Sequence, residues 1–206
     1  WQVGVYGELF VTAEGGPAAL QTAIESAVDG DVLYVAPGRY SPVFDWTHRG
    51  LRIVSIEGCA NTIIDGGFNA SCADFSNFGG NDMIRLEGFT LANGSSYYGG
   101  GAVGAWLIGC VVSNNVAVYN GGGVYYGRAD NCLIVGNSAD SGGGAYMSDL
   151  YNCTVVGNTA SFWGGGIEYG TKYNCIIWGN ESYFDDSNVV DPLFADPNNG
   201  DYRLQE

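Results

Sequence analysis

The sequence predicts an all-β fold, a right-handed parallel β-helix of stacked 21- and 22-residue coils, and three columns of residues carry that expectation. The triplets Gly99-Gly100-Gly101, Gly121-Gly122-Gly123, Gly142-Gly143-Gly144 and Gly164-Gly165-Gly166 recur at intervals of 22, 21 and 22 residues, and Cys110, Cys132, Cys153 and Cys175 keep the same spacing. Asn93, Asn115, Asn137, Asn158 and Asn180 form the third column. Columns in one register arise when a supersecondary unit stacks on copies of itself, so that each residue has a like neighbour. The unit reads as strand, because Leu133-Ile134-Val135 is a short run with β-branched residues between turn residues and Gly143-Gly144-Ala145-Tyr146-Met147 is a second short run. A leucine-rich frame is missing. The coil should therefore hold two or three short strands and turns, with neighbouring coils ~4.8 Å apart.

The elements follow in order along one domain of 206 residues. Residues 1–30 are read as an N-terminal strand and a capping helix. In the helix, over residues 17–28, Leu20, Ile24, Ala27 and Val28 mark an apolar stripe and Gly30 is the stop. Its expected role is to cover the first coil, since an open solenoid end exposes both core and sheet edge. Residues 31–90 form irregular coils, beginning with Val32-Leu33-Tyr34-Val35 and the turn Pro37-Gly38, with a loop excursion at 66–82. Residues 91–181 are the regular repeats and 182–206 a closing segment. All five prolines lie outside residues 43–191, as expected of a ladder in which nearly every strand N–H donates.

Within the repeats each cysteine precedes an apolar residue two positions on (Val112, Ile134, Val155, Ile177), so alternation puts both inside. Cys110, Cys132, Cys153 and Cys175 then form a column of buried, reduced thiols, because parallel stacking holds Cβ atoms slightly too far apart for disulfides. Phe89 and Cys59, in Glu87-Gly88-Phe89 and Glu57-Gly58-Cys59, are candidates to extend that column. Cys59 and Cys72 are either bridged or free. The asparagines Asn115, Asn137, Asn158 and Asn180 are expected to bond along the axis as an amide ladder, and the glycine triplets to make tight or positive-φ corners. Opposite the cysteines, Val111, Leu133, Thr154 and Ile176, then Ser113, Val135, Val156 and Trp178, should point outward. Near the triplets lie Tyr125, Tyr146 and Tyr169, preceded by Tyr97, Tyr98, Tyr119, Phe162 and Trp163. These are either stacked ladders or a contact surface, and Tyr125, Tyr146, Tyr169, Trp163, Ile176 and Trp178 are the binding candidates.

Composition narrows the function. The net charge of −15, from 22 acids and 7 bases, disfavours nucleic acid and anionic membranes, which clustered Lys and Arg would bind. No apolar stretch reaches the ~18 residues of a membrane span. The chain begins at Trp1 without Met, which fits a processed secreted protein or an excised segment. No cofactor is expected. Asp185, Asp186, Asp191, Asp196 and Asp201 are a candidate Ca²⁺ cluster, but neither the nonapeptide Gly-Gly-x-Gly-x-Asp pattern nor an EF-hand loop is present. One basic cluster stands out, His48, Arg49 and Arg52 with Arg85 on a nearby coil and Asp45 and Asp65 as acidic partners.

Residues 19–40, from Ala19-Leu20-Gln21-Thr22-Ala23-Ile24 through Gly30-Asp31-Val32-Leu33-Tyr34-Val35-Ala36-Pro37-Gly38-Arg39-Tyr40, resemble the opening segment of the pectate-lyase-like β-helix superfamily. The Gly-Gly-Gly, Asn-Cys and Gly-Asn columns resemble the repeats of polymorphic outer-membrane proteins and related bacterial surface adhesins. Residues 191–204 are similar to the closing segment of many such proteins. The resemblance implies the solenoid fold and an extracellular or cell-surface setting, while the scaffold itself hosts lyases, adhesins and fibres. No lyase catalytic pattern can be matched residue by residue. Two functions follow as expectations. One is a non-catalytic, adhesive or fibre-forming solenoid that joins copies of itself as a homo-oligomer or filament, or binds a glycan or host-surface partner. The alternative is a small polysaccharide lyase or glycan-binding module using the Arg49, Arg52 and Arg85 side.

Overall fold

A computed structural model of the chain describes residues 7–76 and 82–184, and the backbone of two later strands, Phe194–Asp196 and Asp201–Leu204. Each regular coil turns through four strands, where the sequence led us to expect two or three. One coil runs Trp106–Ile108, Val111–Ser113, Val116–Asn120, Val124–Tyr125, and the next opens with Arg128–Asp130. Strands of this length are possible because single left-handed residues make the corners. Gly109, Asn131, Asn152 and Asn174 occupy that region at one corner, Asn114, Gly136, Gly157 and Gly179 at the next, Gly99, Gly121, Gly142 and Gly164 at the third, and Gly104, Tyr126, Met147 and Tyr169 at the fourth. A residue there bends the chain abruptly, which glycine and asparagine tolerate best.

Among the described residues, stacking like strands builds four parallel sheets. Sheet I has eight strands, from Glu8–Val11 to Lys172–Tyr173, and sheet II seven, from Gly38–Tyr40 to Ile176–Trp178. Sheet III has five, from Ser95–Tyr98 to Glu181–Ser182, and sheet IV six, from Val43–Phe44 to Ile167–Glu168. The chain is thus an all-β parallel β-solenoid. Inside, apolar side chains stack in register. Leu33, Ile53, Leu86, Leu107, Ala129 and Leu150 line sheet I, and Tyr40, Ile64, Leu91, Val112, Ile134, Val155 and Ile177 line sheet II. Burial of these columns is the main stabilising contribution.

The cap helix spans Ala19–Ser26 and buries Leu20 and Ile24. Val28 departs from the expected stripe. Ala27 is already extended, so Val28 lies beyond the helix and is exposed, while its N–H donates to the buried Asp31 carboxylate at 2.9 Å. Within the predicted excursion, Ala73–Asp74 is a strand of sheet IV, paired in parallel with Val43–Phe44 and Ala102–Val103. The two last strands pair antiparallel with each other, apart from the solenoid sheets, and Asp196 and Asp201 are register partners there. Asp185, Asp186 and Asp191 lie outside the described residues.

The asparagine and cysteine columns sit at corners. Asn115, Asn137, Asn158 and Asn180 are buried. The amide of Asn115 donates to Asn137 Oδ1, that of Asn137 to Asn158 Oδ1 and that of Asn158 to Asn180 Oδ1, each at 2.9 Å. The same oxygens accept the backbone N–H of the preceding asparagine, and Leu91, Val112, Ile134 and Val155 carbonyls accept from the four amides. Asn93 is not a rung. The sheet register places it beside Asn114 and puts Gly94 opposite Asn115. All six cysteines are free, including Cys59 and Cys72. Cys110, Cys132 and Cys153 are buried and Cys175 half-buried. Their Sγ atoms donate to backbone carbonyls at 3.3 to 3.5 Å, among them Leu86, Asp130, Ala129 and Leu150. The column does extend to the buried Phe89, but next comes Thr62, because residues 56–61 form a longer turn that carries Cys59 aside. Cys72 lies at another corner, where it donates to the Ala92 carbonyl at 3.2 Å and to Asn115 Oδ1 at 3.4 Å, and burial pushes its thiol up to about 12.

Candidate binding surfaces

Sheet III ends at the glycine triplets, and its outward side chains meet those of sheet IV across that corner. Tyr97 stacks on Tyr119 at 5.9 Å, Tyr119 packs on Tyr98 at 5.5 Å, and Tyr98 reaches Tyr125 at 5.0 Å. Tyr125 then stacks on Tyr146 at 5.8 Å and carries Tyr126 edge-on at 4.7 Å, and Tyr146 meets Tyr169 edge-on at 5.6 Å. Seven tyrosines thereby form one continuous strip along the solenoid axis. Such separations and tilts are those at which aromatic pairs attract. Desolvation in the strip, together with the neighbouring tyrosines, raises the Tyr125 and Tyr146 hydroxyls above their ordinary value.

The six binding candidates do not form one surface. Tyr125, Tyr146 and Tyr169 belong to the strip, whereas Trp163 closes a strand of sheet III and stacks on Phe184 at 4.7 Å. The 21-residue coil separates the two aromatic groups. Its strand, Ser138–Ser141, is one residue shorter than its neighbours and carries no aromatic residue, with Ser141 opposite Asn120 on one side and Trp163 on the other. Ile176 and Trp178 are on sheet II, half-buried, opposite Thr154 and Val156. Val156 is buried although alternation turns it outward, between its register neighbours Val135 and Trp178.

The basic cluster is split. Arg52 makes a bidentate pair with Glu87 at 2.6 and 2.7 Å on sheet I, and that hydrogen bonding holds its guanidinium charged. Arg85 and Arg128 lie over the Trp106 ring at 4.3 and 4.6 Å, and Arg128 also covers Tyr151 at 4.6 Å. Asp130 accepts from Arg128 and from the Trp106 indole. His48 and Arg49 are elsewhere. Nδ1 of His48 is 2.6 Å from Oδ2 of the buried Asp45, and the Arg49 N–H donates to Asp29 at 2.9 Å. Asp65 pairs with Arg39 at 3.3 Å. Among the described residues, no three His, Cys, Asp or Glu converge as a metal site.

A groove that sequence reasoning missed opens beside the cap. Sheet III begins only at Ser95–Tyr98, so earlier coils pass from sheet II to sheet IV with no strand there, between Tyr40 and Val43 and across residues 66–72. The missing strands leave an open hollow of about 480 Å³, walled by Phe44, Trp46 and Tyr97 and lined by Asn69, Ser71 and Asp74 among others. Phe44 is held in place by the cap helix, whose Gln21 side chain accepts from the Phe44 N–H at 2.9 Å and donates to its carbonyl at 3.2 Å. A signal was available: Phe44 and Trp46 are large aromatics on either side of Asp45 in a turn-rich stretch without apolar periodicity.

Fold and surface together define an all-β parallel β-solenoid with an aromatic corner. Among solved structures it is similar to the pectin methylesterase from Aspergillus niger, at 14% sequence identity over 93% of this chain and 71% of that one, with a TM-score of 0.47. No protein-family model matches the chain, and no curated protein matches it. No helix among the described residues is long and apolar enough to cross a membrane.

Proposed function

We propose that the protein is a non-catalytic extracellular or cell-surface solenoid that binds a polymeric surface partner, glycan in character, along its tyrosine corner. The observation that carries this reading is the continuous strip from Tyr97 to Tyr169. Tyr97, Tyr98, Tyr119, Tyr126 and Tyr169 are each more than two-fifths exposed although apolar rings gain by burial. A strip parallel to the axis suits an extended ligand, because each coil repeats the same contact about 4.8 Å further on. The lyase alternative needs a base for the proton beside a uronate carboxylate, and the ion pair with Glu87 keeps Arg52 protonated. Self-association belongs to the same proposal. Head-to-tail contacts between solenoid ends are heterologous and extend into filaments.

The test is retention of the protein on immobilised surface polysaccharides, with light scattering for assembly. Tyr119→Ala with Tyr125→Ala should abolish retention without unfolding the chain. Unchanged retention would remove the corner from the reading. Unsaturated product formed from a uronate polymer with Ca²⁺, and lost in Arg52→Ala, would replace the proposal with the lyase.

A further inference from the structure

We infer that the groove beside the cap is a further subsite, adjoining the tyrosine strip at Tyr97, for an uncharged hexose chain; this deepens the glycan-binding reading above and rests on it. Three properties of the groove select that ligand. The first is the pairing of ring faces with polar groups. Trp46 is 59% exposed, Phe44 47% and Tyr97 65%, and the Phe44 and Trp46 rings lie 5.4 Å apart at 30°. A pyranose offers an apolar C–H face to such rings and a rim of hydroxyls to Asn69, Ser71, Asp74, Ser95 and Ser96.

The second property is charge. Among the described residues the lining holds one carboxylate, Asp74, and no Lys, Arg or His, in a chain of net charge −15. A uronate, sulfated or phosphorylated chain would bring its anions to an acidic wall with no cation to meet them. Asp74 accepts from the Ser76 N–H and hydroxyl through one oxygen, Oδ1, so it is held as a fixed acceptor for sugar hydroxyls. The third property is rigidity. Gln21 fixes the Phe44 backbone and Ser95–Tyr98 is paired in sheet III, so the walls are formed before a ligand arrives.

The experiment is calorimetric titration of the whole protein with cellohexaose and mannohexaose as neutral probes, hexagalacturonate as the anionic probe and the glucosamine hexamer as the cationic one. At least one neutral hexamer should bind saturably. Trp46→Ala should weaken it by about tenfold, the size expected for losing one stacked ring, and Trp46→Phe should restore most of it. Trp163→Ala, on the far part of sheet III, should leave hexamer binding unchanged. Failure of both neutral hexamers to bind, tighter binding of hexagalacturonate or of the glucosamine hexamer, or a neutral affinity indifferent to Trp46→Ala would each overturn the inference. The two readings fail separately: polymer retention lost with Tyr119→Ala and Tyr125→Ala while neither neutral hexamer binds sinks the subsite alone, whereas hexamer binding lost in Trp46→Ala while retention is unchanged by Tyr119→Ala with Tyr125→Ala sinks the corner alone.

Discussion

Gly94 donates its N–H to Asn115 Oδ1 at 2.7 Å, and there the amide ladder stops. A Cβ on Gly94 would overlap the Gly100 carbonyl, so no side chain can add another rung. Below this end every rung both gives and takes bonds in a buried site. Asn137→Ala should strand the Asn115 N–H and one of its two amide hydrogens, the other still reaching the Leu91 carbonyl, and cost about 3 kcal/mol in denaturant unfolding. Asn137→Asp should cost more at neutral pH, and part of the loss should return on acidification. Burial raises that carboxyl, so its penalty grows as pH rises through the folded-state pKa. A change below about 0.5 kcal/mol for Asn137→Ala would show that the ladder is ornamental.

Two glycines separate close approach from dihedral strain. A Cβ at Gly122 would lie 2.5 Å from the Gly143 carbonyl oxygen of the next coil, so Gly122→Ala must push coils apart and should cost more than about 3 kcal/mol. At Gly109, φ is +59° with open space around it, and Gly109→Ala should cost only the left-handed penalty, about 1 to 2 kcal/mol. Thermal melts of both variants decide the matter, and equal losses would refute the distinction.

Tyr126 holds a bulky side chain at φ +50°, where the first coil of that corner has Gly104. Such strain costs roughly 1 kcal/mol and persists where a side chain is kept for another purpose. Tyr126→Gly removes the strain together with the ring contact to Tyr125, terms of similar size, so the melting temperature should hardly move. Polymer retention should nevertheless fall. A large stability loss with retention intact would assign Tyr126 to packing.

Acid should loosen the cap first. Burial alone would raise the Asp45 carboxyl, but hydrogen bonds from the Thr47 N–H and hydroxyl and from His48 outweigh it and hold it below the usual carboxylate range. A depressed carboxyl stabilises the fold above its unfolded value, and that stability is lost as pH falls through the folded one. Between about pH 5 and about pH 3, hydrogen exchange around Asp45 should therefore accelerate more than in the central coils. The extra acceleration should vanish in Asp45→Asn, and its persistence there would point to another carboxylate.

The repeat period, the buried thiols and the apolar columns were legible because each is a property of one strand and its identical neighbours. Cys132 and Ile134 share a face by alternation alone, and a period of 21 or 22 residues permits little except stacked coils. The number of strands per coil was not legible, since left-handed Asn and aromatic corners look like strand interior in one dimension. Asn93 shows the same limit. It keeps the 22-residue spacing to Asn115 yet sits beside Asn114, because register follows backbone pairing and the preceding coil is one residue out of step.

What the chain determined by itself, then, is what repeats: the solenoid, its axis, its interior and a surface poor in cations. What only the tertiary structure decided is what the repeats bring together across different faces. Tyr98 and Tyr125 come from adjacent coils and different sheets yet their rings touch at 5.0 Å, while Trp178, close to Tyr169 in sequence, lies on sheet II. The groove beside Trp46 depends on strands absent from the early coils, and a missing strand leaves no residue to read. Periodicity reports contacts along a column, whereas a binding surface is made around the coil, where residues meet only after the corners have turned the chain.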